Sequence, residues 1–187
     1  MTTNYDPKLH HRSSIRLKGY DYSLEGLYFV TICVQNMECI FGEIKNSPLV
    51  GAGSARPFES IAQMHLNEYG RIIEQCYLNL GQKYPNIQCG EYVIMPNHFH
   101  AIIAIGRSID GGSICDKRAG IPQAVALGHI IAYFKYQSTK LINLQNQKLW
   151  QRNYYEHIIR DETSYNNIYW YIMNNPQKWK DDKFWRK

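Results

Sequence analysis

Apolar and polar residues alternate along this chain with two periods, and each stretch of constant period predicts one element. LYFVTICVQ (27–35) is dense in β-branched and aromatic residues and reads as a strand, with ECIFGEI (38–44) expected as its hairpin partner across a short polar turn. Tyr69, Ile72, Ile73, Cys76, Tyr77 and Leu80 then recur at helical spacing, with Gly81 where a helix C-cap is expected. QCGEYVIMP (88–96) and HFHAIIAI (98–105) are strands on either side of a Pro-Asn turn. Leu127, Ile130, Ile131, Phe134 and Leu141 mark a second helix running to about Asn143. LWQRNYYEHIIR (149–160) contains a strand, and a last helix begins near Asp161 or Glu162 and must stop before Pro176. The Gly-, Pro- and Ser-bearing stretches 47–60 and 107–122 carry no period and read as loops.

The resulting order, strand, helix, strand, strand, helix, strand, helix, is that of a ferredoxin-like β-α-β-β-α-β unit. It predicts an α+β fold with an antiparallel sheet, helices on one face and an added C-terminal helix. The 187 residues suit a single domain over 1–187, with a basic N-terminal arm (1–26) and a basic, aromatic C-terminal tail (177–187).

Composition narrows the class. With 44% hydrophobic and 20% charged residues the chain is globular material, and no apolar run reaches the ~18 residues of a membrane span. MTTNYDPKLHHR lacks the apolar core of a signal peptide, so a cytoplasmic protein is expected. Cys33, Cys39, Cys76, Cys89 and Cys115 form no C-x-x-C pair and are expected to be free thiols. The net charge of +5 is unevenly placed. Lys8, Arg12, Arg16 and Lys18 cluster with His10 and His11 and no acid, while KWKDDKFWRK mixes cations with two tryptophans and a phenylalanine. Such segments are either solvated tails or surfaces for single-stranded nucleic acid, where cations track phosphates and rings stack on bases.

The chemistry concentrates in two places. In MPNHFH, strand alternation puts His98 and His100 on one face and Phe99 on the other. Each imidazole could simply bond a carbonyl or water, or both could converge on one divalent cation. Magnesium and manganese take about six ligands, mostly oxygen, so two imidazoles leave room for phosphate oxygens of a substrate. On the last helix Tyr165, Ile168, Tyr169 and Ile172, with Pro176 beyond it, form the core-facing stripe. Ser164, Asn167, Tyr171, Asn174 and Asn175 lie on a polar side, with Tyr171 and Asn175 one turn apart.

Four blocks, SIRLKGYDYSLEGLYFVTI, MPNHFHAII, LWQRNYYEHIIRDE and YIMNNP, occur in this order and span most of the chain. Together they resemble the single-tyrosine HUH transposases, most closely the REP-associated tyrosine transposases and their bacterial relatives. The resemblance implies a ferredoxin-like fold and single-stranded DNA nicking and rejoining through a 5′-phosphotyrosine intermediate. It implies that His98 and His100 bind Mg²⁺ or Mn²⁺ with Asn175 as a third, oxygen ligand, and that Tyr171 is the nucleophile. DNA, single-stranded or as a hairpin, is the implied partner, with no membrane role, and a homodimer is as compatible as a monomer. Arg12, Arg16, Lys18, Lys135, Lys140 and Arg152 are the candidate phosphate contacts. Tyr154 is a rival nucleophile without an oxygen ligand one turn away, and His129 and His157 read as structural or surface. Loops 45–63 and 107–126 do not match the family and are candidate places for DNA specificity. A non-catalytic hairpin-binding protein of the same fold and a metal-dependent hydrolase using water are the competing readings.

Overall fold

The computed structural model describes residues 17, 19–48, 60–106, 125–145 and 147–186. Four strands, β1 (Gly26–Cys33), β4 (Ile87–Met95), β5 (His98–Ile105) and β6 (Tyr155–Ile159), form one antiparallel sheet in the order β4-β5-β1-β6. β5 is buried along its whole length and β1 along most of it, as expected of two central strands covered on both faces.

Two layers of helix enclose the sheet. The helices α1 (Glu68–Leu78), α2 (Leu80–Lys83) and α3 (Leu127–Ile142) contribute Ile73, Tyr77, Leu80, Ile130 and Phe134 to the larger core. That core also takes Tyr28, Val30 and Ile32 of β1 and Phe99, Ala101 and Ile103 of β5. The other face carries a smaller apolar cluster of Leu27, Ile102, Ala104 and Ile159, closed by Ile172 of α4 (Glu162–Asn174). Tyr165 and Ile168, from the predicted apolar stripe, pack against it. α4 starts where Asp161 Oδ1 accepts the Ser164 backbone N–H at 2.7 Å, and Pro176 opens a 3₁₀ turn after it.

Four expectations are corrected. β1 has no hairpin partner in 38–44, because its two edges are occupied by β5 and β6. Instead, Asn36 and Met37 adopt positive φ of 56° and 59° and turn the chain away from the sheet. β2 (Gly42–Pro48) then pairs with β3 (Ser60–Leu66) as a separate two-stranded ribbon, so both ends of the segment read as the 47–60 loop are strand. α1 ends at Leu78, and Gly81 lies inside the short α2 rather than capping α1. On α3 it is Ile142 that is buried, while Leu141 is exposed. Cys33, Cys39, Cys76 and Cys89 are free thiols; Cys115 lies outside the described residues. Among the described residues no helix is long and apolar enough to cross a membrane.

Candidate active site

The histidine pair lies on the α4 face of the sheet, where the apolar cluster gives way to polar side chains. β5 register against β1 sets His100 opposite Thr31 and His98 opposite Cys33. The two imidazoles are almost fully buried, with ring centroids 4.5 Å apart. Each ring has one nitrogen anchored. His100 Nδ1 is 2.7 Å from Thr31 Oγ1. His98 Nδ1 is 2.8 Å from Asn97 Oδ1, in the β4–β5 turn.

Asn97 settles the tautomer of His98. Its amide nitrogen donates to the carbonyls of Met37 and Phe184 at 3.1 and 2.8 Å, so its oxygen faces the ring and accepts from Nδ1–H. The lone pair of His98 is therefore on Nε2, which is buried without a hydrogen-bond partner among the described residues. Leaving such an atom unpaired costs about 1–3 kcal/mol, a cost that a cation at Nε2 would remove. Burial pushes the His98 pKa down to about 4, and burial with the neighbouring His98 holds His100 well below the usual imidazole range. Both rings are neutral at pH 7, the form that can ligate a metal.

Tyr171 comes from the last turn of α4. Its hydroxyl is 3.2 Å from His100 Nε2 of the same chain, and its ring meets Phe29 edge-on at 6.0 Å. The side chain is 40% exposed, so it faces both the histidines and solvent. Burial and then the Asp182 carboxylate push its pKa up to about 12, so the phenol is protonated at neutral pH. One turn on, Asn175 is buried; its amide nitrogen donates to Asp182 Oδ2 at 3.3 Å, and its Oδ1 is a second buried atom without a partner among the described residues. The potential ligand atoms of His98, His100 and Asp182 all lie within 4.8 Å of one another, so the three could hold a metal ion. Two neutral nitrogens, a carboxylate and an orphaned amide oxygen suit a hard divalent cation that keeps open positions.

The predicted residues are thus brought together from positions seventy apart, but the basic ones are not. Arg12, Arg16 and Lys18 lie outside the described residues. Lys135 carries no free ammonium for phosphate: its three protons go to the carbonyls of Gln151, Arg152 and Asn153, and burial lowers its pKa to about 8. It braces the turn before β6. Lys140 is exposed on α3, across the sheet from the histidines, and the exposed Arg152 does not line the groove at Tyr171. The rival Tyr154 is buried in the opposite core under Lys135.

Sequence reasoning missed Asp182, Asn97 and Thr31. The stretch after α4 read as a basic tail, yet it folds over the site: Phe184 is buried with its ring 4.8 Å from His98, and its backbone N–H bonds Asp182 Oδ1. The signal available was the acidic pair inside KWKDDKFWRK and the Asn directly before His98.

No known family profile matches the chain. An uncharacterised protein of Haemophilus influenzae is 42% identical over 195 residues, covering 99% of each chain. A candidate REP-associated tyrosine transposase of the same organism is 25% identical over 170 residues, covering 84% of this chain and 74% of its own. Among solved structures, a REP-associated tyrosine transposase bound to a REP hairpin superposes with a TM-score of 0.53 at 18% identity, over 87% of this chain and 73% of the other. In sequence and in fold the chain resembles that group.

Proposed function

From a chain that belongs to one family with the uncharacterised Haemophilus influenzae protein and shares its fold with a REP-associated tyrosine transposase, we propose a metal-dependent enzyme that nicks and rejoins single-stranded DNA. The α+β scaffold is read as ferredoxin-like with α4 added to carry the nucleophile. The hairpin bound by the structural relative makes hairpin-bearing DNA the substrate of choice. One observation carries the reading: a solvent-reachable phenol hydrogen-bonded to a buried histidine, beside two buried ligand atoms with no partner among the described residues.

His98 Nε2, His100 Nε2, Asp182 and Asn175 Oδ1 would hold Mg²⁺ or Mn²⁺. When bound, the cation supplies positive charge that polarises a phosphodiester and stabilises its developing charge. The protein does the rest. Tyr171 Oη attacks phosphorus, the bond to the 3′-oxygen breaks, and the DNA is held as a 5′-phosphotyrosine with a free 3′-OH. The phenol proton leaves as the new bond forms; with His100 Nε2 committed to the cation, the Asp182 carboxylate, which the hydroxyl also faces, is the acceptor. Thr31 and Asn97 fix the ring planes, so no reorganisation is needed at that moment. Attack of a second 3′-OH reverses the step without ATP.

The test is to incubate labelled hairpin-bearing single-stranded DNA with Mg²⁺ or Mn²⁺ and resolve covalent adducts on denaturing gels. Wild type forms an adduct; Tyr171→Phe forms none, and His98→Ala or His100→Ala loses cleavage while binding DNA. Cleavage that survives Tyr171→Phe would point to a water-using hydrolase. Binding without any cleavage by wild type would leave a hairpin-binding protein.

A further inference from the structure

The groove at Tyr171 extends well past the residues used above. It encloses about 1010 Å³ and runs along α4 from the histidines to the first turn of the helix. From Tyr171 back to Ser164 is seven residues, roughly 10 Å along a helix axis. The two ends differ in chemistry. Beside Tyr171 the groove is bordered by Lys178 and Lys183, whereas the far arm, between β6 and the start of α4, is lined by no lysine or arginine among the described residues.

That far arm offers His157, Ser164 and Asn167, with Trp170 at its rim. Asp161 also lines it, so a phosphate is disfavoured there. The Asn167 amide makes no hydrogen bond among the described residues and is exposed to the groove, free to offer both a donor and an acceptor. His157 Nε2 and Ser164 Oγ are 3.4 Å apart, a long contact that leaves both groups capacity for a ligand. Trp170 is 61% exposed, which leaves its indole face open to stack on a flat ring.

We infer that this arm is a base-reading pocket: it takes one unstacked nucleobase flanking the phosphate that Tyr171 attacks. Asn167 reads the base edge, His157 and Ser164 complete the hydrogen bonds, and Trp170 stacks on the ring. The cation-bearing end keeps the sugar-phosphate backbone next to the nucleophile. An amide beside a hydroxyl and an imidazole suits a polar base edge, because it can meet a donor and an acceptor at once. Tryptophan stacking adds affinity without choosing among bases. The inference rests on the DNA-processing reading, but it assigns specificity to residues outside the histidine-tyrosine centre.

The experiment uses the full chain and a synthetic library of hairpin-bearing single-stranded DNA, randomised on both sides of the hairpin, with Mn²⁺. DNA recovered from wild-type adducts is sequenced, and one base is expected to dominate at one position flanking the joined phosphate. Among adducts formed by Asn167→Ala that preference falls about tenfold, the size of a lost base-edge contact. Trp170→Ala instead lowers capture about tenfold for all bases alike. No preference in wild type, or an unchanged preference in Asn167→Ala, overturns the pocket. If no adduct forms at all, the catalytic reading has failed; the same library retained by the protein without metal is then sequenced. There, a preference that disappears in Asn167→Ala upholds the pocket, and an absent or unchanged one refutes it.

Discussion

The two faces of the same sheet are built to opposite standards. Toward α1 and α3, β1 and β5 present Tyr28, Val30, Ile32, Phe99, Ala101 and Ile103 to a dry core, where even the Tyr77 hydroxyl is committed to the Ile102 and Gly90 carbonyls. Toward α4 the same strands present Leu27, Ile102 and Ala104 and then, at one end, Thr31, His98 and His100. Here two buried polar atoms stand without partners among the described residues. The first face is packed mainly by apolar side chains; the second keeps polar ligand atoms among them. Strand alternation is what allows this, since Phe99 can anchor the fold between two histidines proposed to hold the cation. Core packing and the proposed ligand set sit one residue apart.

That contrast can be broken by substitution, starting with its strongest side. Phe99→Ala is expected to cost about 3–5 kcal/mol in urea unfolding, because its ring is buried against Tyr77 and Phe134. A loss under 1 kcal/mol would mean that the α1–α3 face is not the stabilising one. On the other face, adding Mn²⁺ at about a hundred times its dissociation constant should stabilise the wild type by roughly 2.7 kcal/mol in thermal unfolding. The doubly substituted His98→Ala, His100→Ala protein should show no such gain, and Asp182→Asn a smaller one.

Acid offers a test without metal. Burial holds the folded His98 pKa at about 4 against an ordinary 6.5, and lowers that of His100 as well. Between those values the unfolded chain binds more protons than the folded one, so stability is complete above about pH 6.5 and is lost as pH falls toward 4. The melting temperature of the metal-free protein should follow that course, and replacing His98 with Gln should flatten it. The smallest effect concerns charge. Lys135→Met should leave the salt dependence of DNA binding unchanged, since its ammonium is spent on three carbonyls. Lys183→Met, at the groove, should reduce the log–log slope by roughly 0.7, one single-strand phosphate contact.

Much of this site could be read locally. Period two placed His98 and His100 on one face, and period 3.6 put Tyr171 and Asn175 one turn apart, off the apolar stripe. Asp161 before the last helix and Pro176 after it bounded α4 to within a residue or two. Each of these depends on neighbours within four residues, a range over which side-chain direction follows from backbone geometry alone. The hairpin expected at 38–44 failed for a reason outside that range: β1 pairs with residues more than sixty positions away, and once β5 and β6 flank it no edge is left.

The same limit explains the rest. The composition of KWKDDKFWRK described its charge, but not that Phe184 would be buried against His98 or that Asp182 would join two histidines more than eighty residues upstream. Lys135 looked like a free cation until three carbonyls from 151–153 closed around it. Nor could residue spacing say that Tyr171 meets the histidine of its own chain. By itself the sequence determined which residues share a face, because that is a matter of local periodicity. Which faces meet, which charges are spent and which buried atoms are left unpaired were decided by tertiary packing, where burial couples residues that the chain keeps far apart.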